Sequence, residues 1–199
     1  YKDEMRYHAF VQYLFTTQWE RTKSAINSYG IKIIGDMPIY VSRDSVDVWA
    51  NPELFDIDPE TYRPALVAGV PPDYFSEDGQ LWGNPLYNWK AMAKENYAWW
   101  IARIKAMLSQ VDYVRIDHFR GFEAYWSVPA GEETAVNGKW VPGPDHKLFQ
   151  AIKKELGDKL SGDEKAKIEE EVSNVKKALE GNNVDEINKA SEKLMTSFY

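Results

Sequence analysis

Asp117 stands two residues after Arg115 and three before Arg120, with His118 beside it, in the stretch VDYVRIDHFRGF from Val111 to Phe122. An arginine within reach holds an aspartate ionised near neutral pH. That suits a nucleophile or a charge stabiliser better than a general acid. The local chemistry also admits a purely structural Asp–Arg pair. Thiol chemistry and a histidine metal site lack the residues they need. There are no cysteines, so disulfides, thiolate metal sites and a cysteine nucleophile are excluded. The three histidines, His8, His118 and His146, are too widely spaced for a metal motif.

The elements that must position Asp117 follow from pattern. Val111 to Ile116 is an apolar run and reads as a buried strand, Val111–Asp117, that ends at the charged cluster. Ile31–Asp36, IKIIGD, reads as a second short buried strand, closed by Met37-Pro38. Between them Lys90 to Gln110 reads as one helix, with Met92, Trp99, Trp100, Ile104, Met107 and Leu108 on its apolar side. Strand, helix, strand is a crossover that makes a parallel pair. Asp36 and Asp117 then both lie at carboxyl ends of neighbouring strands, the edge where α/β folds bind ligands.

Tyr7 to Tyr29 reads as an amphipathic helix, with Phe10, Val11, Leu14, Phe15 and Trp19 on one side and Gly30 as its cap. From Pro38 to about Asn88 no long periodic segment appears, and its aromatic and polar content favours a functional connection. Phe119 to Pro144 reads as a loop with a hairpin at Asn137-Gly138, and Lys147–Leu156 as a third helix. After Pro144 there is neither tryptophan nor proline. Two charged helices follow. Ser161 to Glu164 forms a capping box for the first, with Ile168, Val172, Val175 and Leu179 as its stripe and Gly181 as its stop. Asn183 to Glu186 opens the second, with Val184, Ile187, Leu194 and Phe198 inward. A charged antiparallel pair of this kind reads first as a solvated packing element.

The 199 residues carry a net charge of -7, are 44% hydrophobic and have a mean hydropathy of -0.54. A soluble globular protein is expected, without a nucleic-acid partner, which would want a basic face. No run of 18 apolar residues exists, so no membrane helix is expected. No secretory leader is visible, and a cytoplasmic location is expected. A start at Tyr1, not Met, is expected of a piece of something longer. Eight tryptophans and twelve tyrosines supply either core packing or platforms for flat sugar faces.

Three long motifs, GDMPIYVSRDSVDVWANPELF, GVPPDYFSEDGQLWGNPLYNW and VDYVRIDHFRGFEAYWSVPAGEETAVNGKW, follow in that order. Residues 1 to 157 thereby resemble the bacterial amylomaltases, 4-α-glucanotransferases of the α-amylase-like group. The resemblance implies part of a (β/α)8 barrel, about two or three βα units, and retaining chemistry on malto-oligosaccharides or starch-derived glucans without an organic cofactor. It makes Asp117 the nucleophile and Arg115 its supporting arginine. It places His118 against the sugar at the cleaved bond. Tyr74, Phe75 and Trp82 match aromatics of the loop over the acceptor side, with Asp73, Asn84 and Pro85 in the same loop. Asp36 would have a structural or substrate-side role.

Retaining transfer needs a second carboxyl about 5 Å from the nucleophile. The family's acid/base glutamate lies in a segment reading roughly IAEDLG after a helix like LFQAIKKELGD; here KLSGDEKAKIEEEV follows instead. The later His-Asp pair of the family is also missing. Little or no turnover by this chain alone is therefore expected. An open barrel fragment is also expected to be unstable. From Gly157, where GDKLSGDEKAKIEEEV begins, to Tyr199 the chain resembles the helical lid of a DnaK-type chaperone. The chain then reads as two domains, 1–157 and 158–199, joined near the shared Gly157-Asp158. An incomplete glucan-binding module and a chaperone-type interaction element are the other functions that this reading implies; which protein partners would engage it the sequence leaves open.

Overall fold

The computed structural model describes residues 1–157, 162–181 and 183–196. They fall into two compact units, Tyr1–Ala151 and Ile152–Tyr199.

The first unit opens with helix α1, Lys2–Ser28. Gly30 follows at φ +76, donating its N–H to the Asn27 carbonyl, a left-handed cap that a side chain would resist. The helix is five residues longer at its start than its periodicity implied. Its apolar stripe is present but not covered: α1 buries no residue, and Phe10, Val11, Leu14 and Phe15 are exposed. Its anchors are polar and lie towards its end. Trp19 donates its indole N–H to the Gln110 carbonyl at 2.7 Å, and Lys23 donates to the Val111 carbonyl at 2.9 Å.

Strand β1, Ile34–Met37, pairs in parallel with β4, Tyr113–Ile116, as the crossover predicts. Asp36 stands opposite Arg115, and Met37 opposite Ile116. The start of β1 is a correction. Residue 33 is held from both sides: its N–H donates to the Asp112 carboxylate at 2.8 Å, which also accepts from the Asn27 amide, and its carbonyl accepts from the backbone N–H groups of Asp112 and Tyr113. Neither strand is buried along its length as expected. Among the described strands each has one neighbour, and Ile34 and Tyr113 remain exposed while Met37 is buried.

The single helix expected over 90–110 is two, α3, Trp89–Lys94, and α4, Ala98–Gln110. Asn96 and Tyr97 between them are both left-handed, at φ 52 and 58. The break re-aims the second segment, so that Trp100, Ile101 and Ile104 are buried. Around Trp100 stands an aromatic core of Tyr87, Trp89, Trp99 and Phe122.

The connection after Pro38 contains structure that periodicity did not show. A short helix α2, Val46–Ala50, precedes strands β2, Leu66–Val70, and β3, Gln80–Pro85. The supposed loop after Phe119 supplies β5, Ala124–Pro129, and β6, Lys139–Pro142. These four make an antiparallel sheet in the order β3-β2-β5-β6. Val67, Val128 and Ala135 form its small core, with Leu81 and Trp126 packed against it. The hairpin at Asn137-Gly138 is real as the pair β5–β6, but its connection spans residues 130–138, wider than a two-residue turn. Helix α5, His146–Leu156, runs up to the boundary between units and past it.

The second unit contains α6, Gly162–Glu180, and α7, Val184–Thr196, with the Asn183 side chain capping α7 through the N–H groups of Asp185 and Glu186. Two expected inner residues are corrections: Leu179 and Val184 are exposed. Val172, Val175 and Ile187 are half-buried, and a polar contact also joins the helices. Glu171 is buried, bonded by Lys193 at 3.0 Å and by the Asn174 amide at 3.2 Å. The expected capping box at Ser161, with Asp163 and Glu164, and the inward positions Ile168, Leu194 and Phe198 lie outside the described residues or side chains.

Candidate active site

Alternation along a strand puts Arg115 and Asp117 on one side of β4, and the parallel register brings Asp36 of β1 level with Arg115. The Arg115 guanidinium grips Asp36 through two bonds. Nε donates to Oδ1 at 2.9 Å and an Nη to Oδ2 at 2.6 Å. The same Nη lies 3.5 Å from Asp117 Oδ1. The arginine expected to serve Asp117 therefore serves Asp36 first and touches Asp117 second. Its hydrogen bond holds the Asp36 carboxyl below the usual carboxylate range, so Asp36 is a poor proton donor near neutrality. Arg120 is engaged elsewhere, 3.5 Å from Glu123 and over the Trp140 ring.

The Asp117 backbone is fixed by its N–H, which donates to the Met37 carbonyl at 3.0 Å. His118 then turns the chain, left-handed at φ 50. Its Nε2 is buried with no hydrogen-bond partner among the described residues, and burial pushes its pKa down. A Cβ at Gly121 would come within 2.7 Å of Ile39 and 3.2 Å of the His118 ring. A side chain there would have to displace the end of Ile39 and press on the His118 ring.

Trp82 reaches this point through an irregularity in β3. Between the pairs Val67–Pro85 and Gly69–Leu81, two steps of β2 face four of β3. Such a bulge redirects side chains. Trp82 meets the His118 ring edge-on at 4.8 Å, and the Asn84 amide donates to the Val41 carbonyl at 3.0 Å. Pro85 is fully buried. Asp36, Arg115, Asp117, His118 and Trp82 thus come together.

Asp73, Tyr74 and Phe75 stand apart, in the connection from β2 to β3. Asp73 Oδ1 accepts from the N–H groups of Phe75 and Ser76, a side-chain turn. Tyr74 and Phe75 touch each other edge-on at 5.7 Å and are 97% and 93% exposed. In this arrangement they cover nothing.

Sequence reasoning missed the supports of β1. Arg103 donates to the Ile39 carbonyl at 3.2 Å and to the Pro38 carbonyl at 2.7 Å, and the Tyr87 hydroxyl donates to Ile39 at 2.5 Å. Tyr40, between Tyr87 and Trp82, continues the ring contacts from the core to the site. These are contacts between distant segments, and no local pattern announces them. Among the described residues, no group of three or more His, Asp or Glu side chains could hold a metal ion, and no helix is long and apolar enough to cross a membrane.

A carboxylate beside an arginine at a strand end, with a histidine and a tryptophan next to it, can attack a sugar carbon and stabilise positive charge on it. Comparison with known proteins points the same way. The family described as 4-alpha-glucanotransferase matches residues 1–186, past the boundary expected at 157. The 4-alpha-glucanotransferase of Synechocystis is 58% identical over 80% of this chain and 32% of its own length; that of Clostridium butyricum is 56% identical over 79% and 33%. The chain spans about a third of the length of the curated relatives it matches. Among solved structures, amylomaltase from Streptococcus agalactiae in complex with acarbose superposes with a TM-score of 0.75 at 50% identity, over 78% of this chain and 31% of that one. Amylomaltase from Corynebacterium glutamicum, at 20% identity over 76% of this chain and 21% of that one, has a TM-score of 0.67 and shares the fold.

Proposed function

The chain belongs to the 4-alpha-glucanotransferase family, and from that premise we propose that it carries the nucleophile side of a retaining site for α-1,4-glucans. Its substrates are malto-oligosaccharides or starch-derived glucans, and its place is the cytoplasm. The parallel pair β1–β4 is then a part of a (β/α)8 barrel.

Asp117 attacks the anomeric carbon and forms a glycosyl ester while the leaving sugar departs; an acceptor sugar hydroxyl then takes the glycosyl unit. Arg115 holds Asp36 and Asp117 on one side of the sheet end. His118, neutral through burial, and Trp82 beside it contact the sugar at the cleaved bond. Tyr74 and Phe75 belong to the acceptor side. The single observation that carries this reading is Asp117 at the carboxyl end of β4, sharing Arg115 with Asp36 of the neighbouring strand.

The second carboxyl is the weak point. Asp36 does not supply it, because Arg115 keeps it ionised. Loss of the acid removes about 10²- to 10⁴-fold of rate. The chain alone is therefore a donor-binding and nucleophile fragment with little or no turnover of natural glucans. Glucose release from maltotriose, with Asp117→Asn as control, tests this: release above the control would mean that another group serves as acid.

For residues 158–199 the proposal is a hairpin of the chaperone-lid kind joined near Gly157-Asp158. Its support is the sequence run ALEGNNVDEINKASEKL with the cap at Asn183. Unbroken long-read sequence of the source locus through Gly157-Asp158 would favour a natural fusion over an assembled join.

A further inference from the structure

Beside the proposed site runs a groove of about 470 Å3 whose wall includes Trp82, Gly83 and Asn84 and, further along, Arg43 and Asp44. A second groove, of about 570 Å3, shares Arg43 and Asp44 with the first and continues to Trp49 and Tyr62. Tyr62 and Arg63 are adjacent in the chain, one in each wall. Trp82 touches His118, next to Asp117. Through Arg43 and Asp44 the two grooves trace a track from Trp82, which stands beside His118, to two aromatic side chains which the proposed reaction does not use; Asp117 and His118 themselves line neither groove.

Those two rings are not core. Trp49 is 76% exposed and Tyr62 47%. Tyr62 is left-handed at φ 55, an uncommon conformation for an aromatic residue, and the turn around Asp58 holds it. The Tyr62 N–H donates to the Asp58 carbonyl at 2.8 Å, and Asp58 Oδ1 accepts from the N–H groups of Glu60 and Thr61. Between the rings and Trp82, Arg43 and Asp44 form an exposed pair at 3.2 Å that offers both donors and acceptors.

We propose that Trp49 and Tyr62, with the Arg43–Asp44 pair before them, form a distal subsite for the far end of an α-glucan bound at Asp117. The aromatic faces take the apolar faces of glucosyl rings, and the ion pair takes their hydroxyls. This rests on the function proposed above and adds chain length to it: the track selects oligosaccharides long enough to reach from Trp82 to Trp49.

Calorimetric titration of the full chain with maltotriose and maltoheptaose tests the proposal. The wild type binds maltoheptaose more tightly. Trp49→Ala and Tyr62→Ala each weaken maltoheptaose about three- to tenfold and leave maltotriose unchanged. Trp82→Ala weakens both sugars, and Tyr29→Ala, at an exposed ring elsewhere, weakens neither. Equal affinity of the wild type for the two lengths, or maltoheptaose binding untouched by Trp49→Ala and Tyr62→Ala, overturns the distal subsite and leaves the family-based reading standing. A wild type that binds neither sugar overturns both.

Discussion

Asp36 and Arg115 face each other across the only parallel pair among the described strands, and the guanidinium holds both carboxylate oxygens while it reaches Asp117 at 3.5 Å. One arginine thus ties two acids from two strands into a single cluster. All three side chains are more than half exposed, so the cluster contributes geometry more than stability.

Replacing Arg115 tests that division. Arg115→Lys keeps the charge but cannot make the two-point grip. It should lower Tm only slightly and slow any reaction at Asp117. A large fall in Tm together with unaltered Asp117 reactivity would mean that the arginine is structural.

The supports of β1 should behave in the opposite way. Arg103→Leu removes the arginine's bonds to the Pro38 and Ile39 carbonyls, while Tyr87 still donates to Ile39. Losing a hydrogen bond of this kind costs about 0.5–1.5 kcal/mol. Urea denaturation of the variant should show that loss as a lower midpoint.

Acid should destabilise the first unit. Asp112 and Asp36 are both held below their ordinary range in the fold, Asp112 chiefly by the Ile33 N–H and Asp36 chiefly by Arg115. A depressed carboxylate contributes stability that is fully present above its unfolded value, about pH 4, and is lost as pH falls through the folded value. Thermal melts should be flat above about pH 5 and fall below pH 4. Asp112→Asn should flatten that fall, and an unchanged pH profile would contradict the assignment.

His118 carries a further test. Its pKa is lowered mainly because it is buried, and Trp82 lies against its ring. Trp82→Ala should open the ring to water and raise the pKa towards the ordinary imidazole range. Titration of the imidazole by NMR measures this directly; an unmoved pKa would mean that Trp82 does not shield it.

The parallel pair and its charged end were legible because an apolar run that stops at Arg115, Asp117 and His118 is a local pattern, and so was the cap at Gly30. The register was not. Asp36 and Arg115 are 79 residues apart, and only the paired strands show that the arginine prefers the distant acid. Strands β2 and β3 escaped because LVAGV and QLWGNP are short, glycine-containing and flanked by proline, which reads as loop. The break at Asn96-Tyr97 carries no glycine or proline to mark it. The stripe of α1 was read correctly as apolar, but periodicity says only that a face exists, and here that face is exposed.

The central claim is that Asp117 is a glycosyl-accepting nucleophile without a working acid. An α-maltosyl fluoride isolates that step, because fluoride leaves without being protonated: the Asp117 oxygen bonds to the anomeric carbon as the carbon–fluorine bond breaks. Intact-protein mass spectrometry should show one maltosyl group added, located on Asp117 by peptide mapping, and none on Asp117→Asn. No adduct on the wild type, or the same adduct on the variant, would contradict the account.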